Sequence, residues 1–312
     1  MADIQTLLKN IMSAVYGKDV RQSIHDAIYQ CYQDGKAGTL DLVARTNIDN
    51  VKNNISNPNL LINGDFRNPI NQREKDTYTT LSSEDIYAID RWRMNYNSKL
   101  VINDGYVTLE GNTANNNYWR QPLEHELNGT FTLSVKVRAV SGVMYMYYSD
   151  DNGSVNTITL KEGINTRTFE AVNLRMIGFC AIKTGAIADI EWVKLEQGVI
   201  ATPFVPRLYD EELAICRRYY RSNGMRLVSW QHTTTYAYFA YNYEPMRVAP
   251  KFSYTGFAET QNQVGTVATS TAVQVLGETE IDRLSLRITF NDSSTAYYRC
   301  ASGRIMLDAE IY

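Results

Sequence analysis

The sequence predicts a mainly β fold with an α-helical N-terminus. Three observations carry this. Helical periodicity is concentrated in the first fifty-odd residues. From Leu60 onward, apolar residues alternate with polar ones in short runs broken by turn residues. The composition, with 22 Tyr, 4 Trp and many Thr and Asn, suits pleated sheets and aromatic recognition surfaces. At 312 residues the chain exceeds the roughly 250–300 at which single cores stop growing, so several domains are expected.

Taken in order, Ile4, Leu7, Leu8, Ile11 and Val15 recur at helical spacing, and Gly17 breaks the run. Asp19 is a candidate N-cap for a second helix with Val20, Ile24, Ala27, Ile28 and Cys31 on one face, ended by Gly35 and Gly38. Ala37, Leu40, Ala44, Val51 and Ile55 approximate a short coiled-coil seam, and Asn57-Pro58-Asn59 stops it. Leu60–Phe66 reads as a strand entering a turn. Leu100–Ile102, Tyr106–Glu110, Thr130–Val140, Val143–Tyr148, Thr157–Leu160, Arg167–Val172, Met176–Ile182 and Ile187–Leu195 follow as strands of a sandwich or jelly roll. Val199–Arg207 is a linker, Asp210–Arg221 a short helix, and Leu227–Tyr312 is β again. The expected domains are therefore 1–58, helical; 59–206, a jelly-roll β-sandwich; and 207–312, a short helix plus a β-rich C-terminal domain.

Net charge is −3, with no basic tract of the kind nucleic acid requires. No run of 18 apolar residues offers a membrane span, and no secretory signal is seen at the N-terminus. Cys31, Cys180, Cys216 and Cys300 lack metal or disulfide-framework spacing. His25, His125 and His232 fit no catalytic motif. The paired carboxylates Asp150/Asp151 and Glu124/Glu126 sit in turn-like sequence. No catalytic residue and no cofactor are expected.

A sugar presents apolar C–H faces and rings of hydroxyls, which aromatic platforms beside amides and charges answer. Tyr118, Trp119 and Arg120 supply that mix, as do Tyr145, Tyr147 and Asp150. Trp230, His232, Tyr236, Tyr238 and Tyr241 form a third cluster, for which sheet packing or a trimer interface is the stronger reading. Trp92 and Trp192 read as core.

Three stretches carry a family resemblance. Ala14-Val15-Tyr16-Gly17-Lys18-Asp19-Val20-Arg21-Gln22-Ser23-Ile24 resembles the N-terminus of baseplate upper proteins and tail fibres of phages of Firmicutes. Asn59–Phe66 with Ala88-Ile89-Asp90-Arg91-Trp92 resembles the opening of carbohydrate-binding jelly-roll modules in such fibres. Trp192–Gly198, Ala201–Phe204 and Glu211–Tyr220 are similar to the exit of that module. The resemblance implies a homotrimer. It implies tail attachment through residues 1–58 to other phage tail or baseplate proteins, and a place in the virion. It implies adsorption to host cell-wall glycan, with the receptor-binding tip at the C-terminus. A purely structural adaptor and a polysaccharide depolymerase remain alternatives. By analogy with related modules, Asp65, Asp189 and Glu191 are calcium candidates, although Arg67 stands where those modules often carry an acidic residue.

Overall fold

The computed structural model describes residues 18–36, 56–81, 84–112, 117–229, 231–232, 235–256, 259–262, 267–290 and 299–311. The chain divides into two compact units, Met1–Asn57 and Pro58–Tyr312. In the first, α1 (Lys18–Lys36) begins one residue before the expected cap, so Asp19 lies inside the helix. Gln22 donates to Asp26 at 2.7 Å, and His25 stacks on Tyr29 one turn on. The expected first helix and the coiled-coil seam at Ala37–Ile55 lie outside the described residues.

The second unit is antiparallel β. Its first sheet holds β1 (Thr77–Thr79), β2 (Asp85–Tyr87), β3 (Arg93–Asn95), β4 (Ser98–Asn103), β5 (Tyr106–Gly111), β6 (Asn117–Ser141), β7 (Met144–Asp150), β8 (Gly153–Thr159), β9 (Gly163–Ala181) and β10 (Ala186–Gln197). Two strands are long enough to serve two layers. Residues 127–137 of β6 pair with 163–174 of β9, extending a layer of order β1-β4-β5-β10-β6-β9. Residues 117–122 of β6 pair with 176–181 of β9 in a layer of order β2-β3-β6-β9-β7-β8. Register shifts between Pro122 and Gly129 mark the bend in β6. Leu100, Leu109, Leu133 and Val193 of the first layer share one core with Met94, Trp119, Met146 and Phe179 of the second.

Several expectations change here. Arg167–Val172 and Met176–Ile182 are one strand, β9. Leu60–Phe66 is a turn with an isolated bridge from Asp65 to Trp192. Buried Asn63 has φ of 57°, and its amide donates to Ile70 O at 2.9 Å and Asp90 O at 2.8 Å. Those bonds outweigh ladder pairing. Trp92 is core: its indole N–H donates to Asn63 O at 2.8 Å, and Phe66 packs edge-on at 5.0 Å. Trp192 is only half-buried, stacked on Phe204 at 4.8 Å, because a register shift between Ile190 and Trp192 breaks the alternation. Buried Lys194 instead reaches across Glu196 at 3.2 Å to Thr202 and Pro203, fixing the linker.

The expected helix Asp210–Arg221 stops early, as α2 (Tyr209–Cys216). Tyr219 and Tyr220 are drawn into the second sheet: Ala309 N–H donates to Tyr219 O at 2.7 Å, and Tyr220 pairs with Asp308. That sheet comprises β11 (Tyr220–Val228), β12 (Gln231–His232), β13 (Tyr236–Asn242), β14 (Lys251–Thr255), β15 (Glu259–Asn262), β16 (Val267–Val275), β17 (Arg283–Phe290) and β18 (Arg299–Asp308). Its path is β11-β18-β15-β16-β17-β13-β12, with β14 also on β18. Leu227, Phe239, Leu286, Ile305 and Leu307 form its core.

A buried polar network binds the two sheets. The Arg91 guanidinium donates to Glu310 at 2.6 Å and to Pro122 O at 2.6 Å, and lies 3.8 Å over the Tyr219 ring. Arg73 bridges Asp90 at 3.0 Å and Glu310 at 3.5 Å. Gln72 donates to Asp90 at 2.7 Å and Tyr220 O at 2.6 Å. Burial pushes the Asp90 carboxyl from 3.8 up to about 7, against the pull of Arg73. Between those values the folded state holds a proton that the unfolded chain has released. Stability from this group is therefore highest below the unfolded value and declines as pH rises toward 7. Urea midpoints of wild type and Asp90→Asn, measured from pH 4.5 to 8, should show that decline in wild type and a flatter profile in the variant. Parallel profiles would refute the assignment.

Candidate functional site

The sheet alternation sorts the aromatic candidates. In β6, Trp119 points into the core, where its indole N–H donates to Lys99 O at 3.1 Å; Tyr118 and Arg120 face outward. In β3, Met94 points in and Arg93 and Asn95 point out. In β7, Met144 and Met146 point in and Tyr145 and Tyr147 point out. Cross-strand registry then aligns two rows on the outer face. One runs Arg93, Arg120, Gly178, Tyr147 and the other Asn95, Tyr118, Cys180, Tyr145.

The rings form a chain across this face. Tyr96 lies edge-on to Tyr118 at 6.5 Å, and Tyr118 meets Tyr147 at 5.1 Å. Arg120 lies 5.6 Å over the Tyr118 ring. Asp85, one strand further out, accepts from Arg93 Nε at 2.5 Å and from Arg120 Nη2 at 3.1 Å. Tyr147 and Cys180 are buried yet lie outside the core cluster, so neighbours on the outer face cover them. Gly178 permits this packing. A Cβ there would stand 2.1 Å from Trp119 O and 2.7 Å from Arg120 Cα. Asn95 Oδ1 and Arg120 Nε are buried with no hydrogen-bond partner. Both atoms lie beneath this face, and a buried atom of this kind costs about 1–3 kcal/mol to leave unpaired.

Three expected contact residues are thereby corrected. Trp119 is core. Tyr147 supports Tyr118 from below, its hydroxyl 3.0 Å from Ser154. Asp150 is a buried turn residue that accepts from Asn152 N–H at 2.8 Å, because the tight turn between β7 and β8 needs that acceptor. Tyr118, Arg120 and half-buried Tyr145 remain on the open face. Asp85, Arg93, Asn95 and Tyr96 are additions. β3 is three residues long, and its pairing with β6 crosses some 25 residues of sequence, so no local signal marked it.

The other candidates fall elsewhere. Tyr236 and Tyr238 share the outer side of β13, rings 5.4 Å apart, with Arg287 5.7 Å over Tyr236. Tyr241 points inward toward Tyr243 at 5.5 Å. Trp230 and the His232 side chain lie outside the described residues. The paired carboxylates are engaged structurally. Glu124 accepts from the Tyr219 hydroxyl at 2.5 Å, Glu126 from Arg175 at 3.0 Å, and Asp151 from Asn173 at 2.7 Å. His125 lies in β6 at its bend rather than in a turn. The calcium candidates do not fit an ion. Asp65 is held by Arg67 at 2.7 and 2.9 Å, and Asp189 accepts from Thr108 at 2.6 Å. Among the described residues no group of three or more His, Cys, Asp or Glu is arranged to hold a metal. No described helix is long and apolar enough to cross a membrane.

No family model and no curated protein matches the sequence. Solved structures that resemble part of the chain include carbohydrate-binding modules. A CBM29-2 point variant, from work on ligand recognition by family 29 carbohydrate-binding modules, is 8% identical with a TM-score of 0.29. The match covers 42% of this chain and 99% of that one. The module titled BiXyn10A CBM1 is 15% identical with a TM-score of 0.29, over 39% of this chain and 96% of that one. Likenesses of this degree transfer neither a ligand nor a binding residue.

Proposed function

We propose that this chain is a non-catalytic adhesin that binds saccharides reversibly on the outer face of the β3-β6-β9-β7 layer. The observation that carries the reading is the Tyr96–Tyr118 ring pair beside Arg120, Asp85 and Asn95. Ring faces stack on the C–H faces of a sugar, while the guanidinium, carboxylate and amide orient its hydroxyls. Within this reading the first β unit is the jelly-roll module of a phage tail fibre or baseplate protein. Residues 1–58 attach and trimerise it in the virion. The ligand is a host cell-wall glycan, and weak single sites add through copy number. The motif resemblances at Ala14–Ile24, Asn59–Phe66 and Trp192–Gly198 support that placement.

Glycan-array binding by the full chain tests it. Tyr118→Ala should lower affinity for the retained glycan about tenfold, the equivalent of roughly 1.4 kcal/mol for a lost aromatic platform. Circular dichroism of the variant verifies the fold. Unchanged retention by a folded Tyr118→Ala protein, or release of reducing ends from host polysaccharide, would overturn the reading.

A further inference from the structure

A cleft lies between the two sheets at the β2 edge, where Tyr87 is the cross-strand partner of Arg93. It has a volume of about 740 Å³ and is lined from one side by Arg73, Glu74, Lys75, Tyr78 and Tyr87, and from the other by Tyr220, Ser222 and Arg304. That volume falls within the roughly 300–1,000 Å³ of small-molecule sites. The geometry points to a second binding site here, for an acidic saccharide bearing a carboxylate or phosphate.

The cleft combines aromatic rings with charge. The Tyr78 hydroxyl is already engaged, donating to Asn71 Oδ1 at 2.5 Å, and the Tyr87 hydroxyl donates to Ile311 O. Both residues are nearly buried, at 4% and 5% exposed, and form part of the cleft wall. Tyr220 adds a third ring, held by the Arg73 guanidinium 3.8 Å above it. Arg73 is held from behind by Asp90 at 3.0 Å and Glu310 at 3.5 Å. The remaining lining charges are Lys75 and Arg304 against Glu74, an excess of one positive charge. Arg304 donates to Ser222 Oγ at 3.0 Å and pairs with Glu74 at 2.8 Å.

That ion pair joins the two sides of the cleft. Glu74 is 60% exposed and Arg304 35% exposed. An exposed pair of this kind contributes little and is readily exchanged for another anion. A carboxylate or phosphate displacing Glu74 meets the Arg304 Nη1 that Ser222 already orients, a charge-assisted contact. The rest of the sugar then lies along the cleft lining. A neutral hydroxyl gains less from Arg304 than an anion does, so the cleft favours charge.

Calorimetry on the full chain tests it, with hexagalacturonate as the carboxylate probe, glucose 6-phosphate as the phosphate probe, and a neutral β-glucan hexamer, inorganic phosphate and hexaglutamate as comparisons. At least one acidic sugar should bind, and saturating neutral hexamer should not displace it. Arg304→Gln should weaken its binding about tenfold, as expected for a lost charge-assisted contact. Glu74→Gln should act in the opposite sense and strengthen it severalfold, an outcome misfolding could not imitate. Wild-type affinity in both variants overturns the site. Displacement by the neutral hexamer overturns its separateness from the tyrosine face. Equal binding of inorganic phosphate or hexaglutamate overturns the saccharide assignment.

Discussion

Glu310→Ala should lower the free energy of unfolding by about 3–5 kcal/mol, the range for removing one partner of a buried ion pair. Its carboxylate accepts from the Arg91 guanidinium at 2.6 Å and from the Arg91 backbone N–H at 3.2 Å, and Arg73 approaches at 3.5 Å. The side chains of Arg91 and Glu310 are 1% and 0% exposed, so truncating the acid leaves a guanidinium with no solvent to receive it. Arg91 Nε already lacks a partner. The large effect is the cost of an orphaned charge, not the net value of the pair, and replacing both partners by apolar side chains separates the two. Arg91→Met with Glu310→Leu should be less destabilised than either single alanine variant, because the pair is replaced by apolar volume. Urea denaturation of the full chain measures all four proteins. A Glu310→Ala protein within 1 kcal/mol of wild type would show that the buried network does not bind the two sheets.

Gly178→Ala is expected to cost about 1–3 kcal/mol and to weaken saccharide binding at the tyrosine face in the same step. The added methyl meets backbone, Trp119 O at 2.1 Å and Arg120 Cα at 2.7 Å, and backbone cannot rotate away. The β6 and β9 strands must part where Tyr118 and Arg120 are aligned with Tyr147. Gly224→Ala in β11 is the control: nothing lies within 4 Å of its added Cβ, so it should stay within about 0.5 kcal/mol of wild type. Melting temperature and glycan affinity, read together, test the coupling. A Gly178→Ala protein with normal stability and affinity would mean the strands do not approach as closely as the structure places them.

The sequence by itself determined what depends on local pattern. Period-two alternation located most strands, because burial of one sheet face enforces it residue by residue, as in Phe131, Leu133, Val135 and Val137. The turn-like sequence at Asp150/Asp151 does join β7 to β8, because turn chemistry is local. Tyrosine content pointed to aromatic faces. Tertiary structure alone decided which tyrosines remain open. Trp119 and Tyr118 are adjacent in sequence and equivalent in composition, yet opposite in exposure, and the parity of β6 against the core sets that difference. The partners of Tyr118 come from β3 and β7, and those of Arg91 from the far end of the chain at Glu310. Pairings over such distances leave no periodic trace in sequence, since they arise only when separate strands are brought edge to edge.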